Sequence, residues 1–316
     1  MEHLAKLKFP LALLLGLLVI TGGWHLYQAG AGPLGETDYA LVITTPTLKL
    51  TPGEIREVSL TIQNTGDGLW WNGDDLRLGT VFSTGAPDRP SIWATESWLS
   101  STRIAPAGLT GKQVRPRQMT TFRFTLKTPD RVGLYKEYFQ PVLEGSRWLT
   151  GAPITLTLQV GEGVTIQSAE PKAIIINRKT QTGEMIENGY IVATLLVSTG
   201  RAGYTTPAGQ YKIMNHIANA YSSEYELWMP NWMGLASVKY GFQGYGLHGL
   251  PYWRVKPTKF EEGKIYPGGR LYTNGRLYEG SSHLGHPVSH GCIRFGVSES
   301  AALSAWADNG TPVTII

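Results

Sequence analysis

The chain has 316 residues, 42% hydrophobic and 16% charged, with a net charge of +4. That apolar content excludes a disordered chain, and so mild a charge without a dense Lys/Arg tract lacks the footprint of a nucleic-acid binder. One cysteine excludes an intramolecular disulfide framework and a Cys-rich zinc module. The length points to about two domains, and 38 glycines with 19 prolines suit strands and turns better than a helical bundle.

At the N-terminus, Lys6 and Lys8 precede an apolar run over residues 9–27. Charge first and apolar stretch second is the grammar of an export signal within residues 1–28. As a helix its 19 residues reach about 28 Å, close to the ~30 Å hydrocarbon core, so the run is also long enough to stay as a membrane anchor. Trp24 and Tyr27 would then sit at the outer interface, and the lysines would hold the N-terminus in the cytoplasm. Everything after Tyr27 then lies outside the cytoplasm. Ala29-Gly30-Ala31 resembles a cleavage site, and a buried core helix is the third reading. In an exported protein the unpaired Cys292 reads as a reactive thiol or an intermolecular link.

Residues 29–38 are small and polar, a tether. From residue 39 to 160 the apolar pattern has period two: Val58, Leu60, Ile62; Phe122, Phe124, Leu126; Ile154, Leu156, Leu158, Val160. Turn signals such as Thr51-Pro52-Gly53 and Asn64-Thr65-Gly66 separate these runs, which predicts a β-sandwich. Leu78-Gly79-Thr80, residues 98–103 and residues 133–148 make this segment similar to bacterial immunoglobulin-like wall domains. Trp70, Trp71, Trp93, Trp98 and Trp148 read as core and rim aromatics, with a glycan-binding face as the alternative.

Residues 161–170 form the boundary to a second, mostly β unit over residues 171–316. Asn188-Gly189 predicts a type I′ hairpin between Met185-Ile186 and Tyr190-Ile191-Val192. Ser298 is the expected cap of one helix, with Glu299 in its first turn and Asn309-Gly310 as its stop. Residues 311–316 read as a closing strand.

Four of the seven histidines fall between His248 and His290, and Cys292 follows at once. A free thiol titrates near ~8.5, and a neighbouring imidazole can take its proton to leave a thiolate–imidazolium pair. Gly291 removes a side chain just before Cys292 and lets the chain turn sharply. The N–H groups of Gly291 and Cys292 can then face a developing oxyanion. Ser289, His290 and Arg294 offer polar and cationic contacts around it, Arg294 suiting a substrate carboxylate.

Ser289-His290-Gly291-Cys292-Ile293-Arg294 resembles the signature of L,D-transpeptidases with the YkuD-type catalytic domain. Gly246-Leu247-His248-Gly249, Ser198-Thr199-Gly200, Thr206-Pro207-Ala208-Gly209, Glu187-Asn188-Gly189 and the segment 310–315 are similar to further elements of that family. The resemblance covers nearly half the chain. It implies a β-rich catalytic domain without a cofactor, acting on peptidoglycan stem peptides outside the cytoplasm and sensitive among β-lactams mainly to carbapenems. It implies Cys292 as nucleophile and His248 as base, the ring of His248 oriented by the carbonyl of Gly249, and Tyr245 lending a hydroxyl to the oxyanion site. Cys292 would form a thioester with a tetrapeptide stem and release D-alanine. An amine of a neighbouring stem would resolve it to a third-to-third cross-link. The step of 44 residues from His248 to Cys292 is longer than the family's, which points to an insertion over residues 251–282, read as a lid or hairpin shaping the groove. It leaves His283 as the second candidate base. His290 is read as shaping the site and His286 as a solvated loop residue.

Four other readings stand beside this one. Water as acceptor gives an L,D-carboxypeptidase. His283, His286, His290 and Cys292 offer N and S ligands for a zinc hydrolase, against which no helical i, i+4 histidine pair is present. The remaining two are a wall-binding protein without catalysis and a buried, inert cysteine.

Overall fold

The structure is a computed structural model, and it describes residues 37–43, 47–72, 75–107, 112–164, 168–256 and 259–316. The predicted anchor at residues 9–27 lies outside the described residues. Among the described residues no helix is long and apolar enough to cross a membrane. Of the tether, Thr37 and Asp38 are described, and Asp38 is docked on the fold. Its carboxylate accepts the Arg147 guanidinium at 2.5 and 2.9 Å and the Thr150 N–H at 2.5 Å. A charged pairing site is what fixes a residue that composition alone placed in a flexible linker.

The first unit comprises β1 (Tyr39–Ile43), β2 (Leu48–Leu50), β3 (Ile55–Asn64), β4 (Trp70–Asn72), β5 (Leu76–Thr80), β6 (Arg103–Ile104), β7 (Lys112–Val114), β8 (Met119–Lys127), β9 (Gly133–Leu143), β10 (Arg147–Trp148) and β11 (Ile154–Val160). One antiparallel sheet orders β1-β3-β8. The other orders β2-β11-β9-β5-β6, parallel only between β2 and β11. The alternating residues of β3 and β8 meet those of β9 and β11 in one buried cluster, so this is the expected sandwich. Trp98 sits at its centre, edge-on to Phe124 at 5.6 Å. Trp70, Trp93 and Trp98 are buried, which overturns the alternative of a five-tryptophan binding face.

The second unit comprises β12 (Lys172–Asn177), β13 (Thr182–Glu187), β14 (Tyr190–Leu196), β15 (Gly209–Ser222), β16 (Leu227–Ser237), β17 (Gly241–Gly249), β18 (Tyr252–Arg254), β19 (Ile265–Tyr266), β20 (Arg270–Thr273), β21 (Arg276–Tyr278), β22 (Ile293–Phe295), α1 (Val297–Trp306) and β23 (Pro312–Ile315). Hydrogen bonding runs β14-β13-β12-β23-β15-β16-β17-β22, parallel at β12–β23 and β17–β22. Just beyond β14, Ser198 exchanges two 2.9 Å backbone hydrogen bonds with Arg294 of β22, which closes the ring. Asn188 and Gly189 have φ of 51° and 82°, both positive as a type I′ turn demands. Asn274-Gly275, with φ of 49° and 72°, repeats the device between β20 and β21.

The helix departs from expectation at both ends. Gly296 occupies the N-cap without a side-chain cap, and Ser298 lies inside the first turn, its hydroxyl donating to Glu299. The helix stops at Trp306, ahead of Asn309-Gly310, because Ala307 turns to φ −82°, ψ 135° and is buried. Core packing fixes that end before the glycine is reached.

The two units pack together. Val81, Phe82 and Tyr138 of the sandwich join the core of the second unit, and Arg131 forms an ion pair with Glu184 of β13. Beneath this contact Arg89 and Glu137 form an ion pair, each side chain only 2% exposed. Ser91 Oγ donates to Glu137 at 2.8 Å and Arg89 Nε donates to Val81 O at 3.0 Å. Burial pushes the Arg89 guanidinium down to about 10. Replacing one member leaves the other charge buried and unpaired, so Arg89→Met is expected to destabilise the chain by about 3–5 kcal/mol. Chemical denaturation read by tryptophan fluorescence checks this.

Candidate active site

Adjacent parallel strands bring the histidine and the cysteine motifs together. β17 and β22 pair Leu247 with Ile293, His248 with Arg294 and Gly249 with Phe295. Cys292 immediately precedes β22. It and His248 line one cavity of about 580 Å3, together with Trp232, Tyr245, His290 and Arg294. The apolar alternation of β22 buries Ile293 and Phe295, which anchors the strand that presents the thiol.

His248 is 2% exposed and lies stacked on Trp232, ring centroids 5.9 Å apart at 21°. Its Nδ1 meets the carbonyl of Gly249 at 2.7 Å. A carbonyl only accepts, so Nδ1 carries the proton and Nε2 is the free lone pair. Burial, and next the charge of Arg294, hold the imidazole down at about 3, against the opposing effect of the Gly249 hydrogen bond. Burial also pushes the Cys292 thiol up, while the Gly246 backbone hydrogen bond and the Arg294 charge pull it down. Burial thus penalises both charged forms and opposes a resting thiolate–imidazolium pair.

The turn before Cys292 is fixed by Ser289, which is fully buried. Its hydroxyl donates to Cys292 O at 2.6 Å and accepts from Gly291 N–H at 3.1 Å. The Gly291 N–H is thereby committed, which corrects its expected role as an oxyanion donor. Ser289 also lines the cavity, but its hydroxyl is engaged by the turn. Among the described residues no partner takes the Cys292 N–H, which remains the backbone donor at this turn. Gly291 has φ of +116°, and a Cβ there would meet the Tyr245 ring at 2.6 Å. Only glycine lets that ring lie against the turn.

Thr206 Oγ1 donates to Gly291 O at 2.8 Å while accepting Gly200 N–H at 2.9 Å. Thr199 O accepts Ser289 N–H at 3.0 Å, and the Thr199 backbone and hydroxyl are both bound by Gln181. Arg294 Nη1 donates to Glu279 Oε1 at 2.8 Å, and His283 Nδ1 lies 2.9 Å from the same oxygen. His290 is held at the rim, its ring 4.6 Å from Tyr204 and 4.8 Å from Tyr225, with Nε2 at 2.8 Å from Arg201.

Residues 171–315 match the family model of the L,D-transpeptidase catalytic domain, YkuD. This part of the chain is an L,D-transpeptidase catalytic domain. Among solved structures the chain is similar to an L,D-transpeptidase from Stackebrandtia nassauensis, at 25% identity over 47% of this chain, with a TM-score of 0.32. It spans 57% of that protein's length. It is similar to an L,D-transpeptidase from Mycobacterium smegmatis at 11% identity, covering 89% of this chain and 100% of that one, with a TM-score of 0.34. An L,D-transpeptidase from Mycobacterium tuberculosis H37Rv gives 13%, 88%, 98% and 0.34 in the same order. No curated protein sequence matches the chain.

In this domain Cys292, His248, Tyr245, Ser289, His290 and Arg294 share the cavity, while Gly249 sits behind the imidazole. His283 is drawn to Glu279 and does not line the cavity. His286 is exposed, and its carbonyl accepts from Ser198 Oγ at 2.7 Å. The proposed zinc ligands are thus not brought together, and among the described residues no three His, Cys, Asp or Glu side chains are placed to hold a metal ion. Gln181, Thr199, Thr206 and Glu279 were missed as site residues. The Ser198-Thr199-Gly200 and Thr206 motifs carried a signal without a role; Gln181 and Glu279 carried none.

The low His248 value ties stability to pH. An unfolded histidine binds a proton below about 6.5, whereas folded His248 stays neutral down to about 3. The unfolded chain binds more protons in that window, so stability falls as pH is lowered through it. Urea titrations between pH 4 and 7 are expected to show this slope flatten in His248→Asn, by up to about 1.4 kcal/mol per pH unit. Ser289→Ala, which leaves the Gly291 N–H and Cys292 carbonyl unpartnered, is expected to cost about 1–3 kcal/mol in the same measurement.

Proposed function

We propose that the chain is a peptidoglycan L,D-transpeptidase in which Cys292 is the nucleophile and His248 the base. The observation that carries this is the placement of a neutral imidazole, its Nδ1–H fixed on Gly249 O, in the wall of the cavity that holds the thiol. His248 Nε2 takes the Cys292 proton as sulfur attacks the carbonyl between the third residue of a tetrapeptide stem and D-alanine. The Cys292 N–H and the Tyr245 hydroxyl receive the oxyanion. Collapse breaks the C–N bond, and imidazolium returns its proton to the departing D-alanine amine. An amine of a second stem then attacks the thioester, loses its proton to His248, and expels the thiol to give a third-to-third cross-link. His290, Arg294 and the rim aromatics contact the stems.

The sandwich fits an immunoglobulin-like spacer, and the apolar run at residues 9–27 fits a membrane tether that leaves the catalytic domain outside the cytoplasm. Water in place of the second stem would make the enzyme an L,D-carboxypeptidase, and the products distinguish the two.

Mass spectrometry of the chain mixed with disaccharide-tetrapeptide is expected to show a thioester adduct at Cys292 and cross-linked dimers. Tripeptide alone would mean hydrolysis. Cys292→Ala should form no adduct, and His248→Asn should slow acylation by about 10²–10⁴-fold. An adduct forming at the original rate in His248→Asn would remove the base assignment.

A further inference from the structure

The 251–282 segment does more than border the nucleophile. Its strands build a small antiparallel sheet, β18-β21-β20-β19, joined to β16 where Trp228 pairs with Tyr252. Between this sheet and the β15–β16 hairpin runs a second hollow of about 610 Å3, lined among others by Tyr221, Tyr225, Glu226, Trp253, Arg254 and Arg270. Tyr225 and Trp253 border this hollow and the catalytic cavity alike, so the two adjoin along these rings.

The aromatics here are not equivalent. Trp228 is fully engaged: Tyr221 leans on it at 4.9 Å, Arg254 lies over it at 4.3 Å, and Tyr252 stacks at 6.4 Å. Tyr225 rests on His290. Trp253 is half-buried on β18 opposite Leu277, yet its indole has no ring partner and its Nε1–H no acceptor among the described residues. The ring is partly exposed, so its face and its N–H are open to a ligand. Arg254 and Arg270 form no ion pair with a carboxylate among the described residues, and with Glu226 they make up the charged lining of the hollow.

An indole face with an open N–H donor, flanked by arginines, is the chemistry of a saccharide site. The ring face takes the apolar C–H side of a pyranose, the N–H takes a hydroxyl, and the guanidinium N–H groups take hydroxyl and amide carbonyl oxygens. A stem peptide in the adjoining cavity is itself attached to a glycan of amino sugars. We infer that the hollow framed by the 251–282 segment is a saccharide subsite, with Trp253 as its stacking platform, which receives the sugar chain carrying the stem. This inference rests on the transpeptidase reading for its occupant and on Trp253 for its position.

Steady-state kinetics of the chain on disaccharide-tetrapeptide and on the free tetrapeptide test it. Trp253→Ala is expected to raise KM about three- to tenfold more for the disaccharide form than for the free peptide. Trp253→Phe, which keeps a stacking face, should recover most of the loss. A wild-type enzyme indifferent to the disaccharide, or a Trp253→Ala variant that weakens both substrates equally, would overturn the subsite. Failure of the wild type on both substrates would instead overturn the transpeptidase reading. In that case saturation-transfer NMR with the peptide-free disaccharide decides the subsite alone: transfer to the sugar that is lost in Trp253→Ala supports it, and no transfer overturns it.

Discussion

The two-way backbone pairing of Ser198 with Arg294 is the constraint on which the rest of the site depends. It closes the ring of strands and delivers the segment 198–206 against the turn that carries Cys292. From there the turn has almost no freedom. Ser289 is bound through its N–H by Thr199, and its hydroxyl ties Gly291 to Cys292. Thr206 holds the carbonyl of Gly291, and Gln181 holds Thr199 from the far side. These hydrogen bonds are buried, where each is costly to leave unmade. They point the thiol without touching it.

Electrostatics follow from the same strand pairing. His248 and Arg294 are register partners, so a guanidinium is bound to lie beside the imidazole. Its charge adds to burial in keeping the base neutral, and it eases the thiol toward ionisation. One cation thus acts on the proton transfer in two opposed ways, easing its loss from sulfur and disfavouring its arrival on nitrogen. The arrangement needs a counter-charge, because an isolated guanidinium is expensive at such depth. Glu279 supplies it from the 251–282 segment.

Much of the fold was legible in the sequence for physical reasons. Period-two alternation marked Val58, Leu60, Ile62, Phe122, Phe124 and Leu126, and all are buried because one face of each strand meets the core. Asn188-Gly189 announced its turn through the positive φ that few other pairs accept. Asn274-Gly275 carried the same signal inside the segment read as a lid or hairpin. The C-terminal end of the helix was misplaced because Ala307 answers to core packing, and local capping preference is weaker than that. At the site, Cys292 and His248 were legible as chemistry. The work of Ser289 and the Gly291 N–H was not, since a hydroxyl two residues away competes for that donor and only the turn's geometry reveals it. Gln181 and Glu279 reach the site through tertiary contacts, which leave no local trace.

The pairing of Glu279 with Arg294 has a consequence for how this domain can vary. The hairpin segment that shapes the mouth of the cavity also neutralises its wall. Shape and charge are therefore not separable traits here. A variant with the segment trimmed would leave Arg294 without Glu279 beside the base and nucleophile, unless another carboxylate took its place. An engineer shortening the segment would need to keep Glu279, or supply a carboxylate in its place.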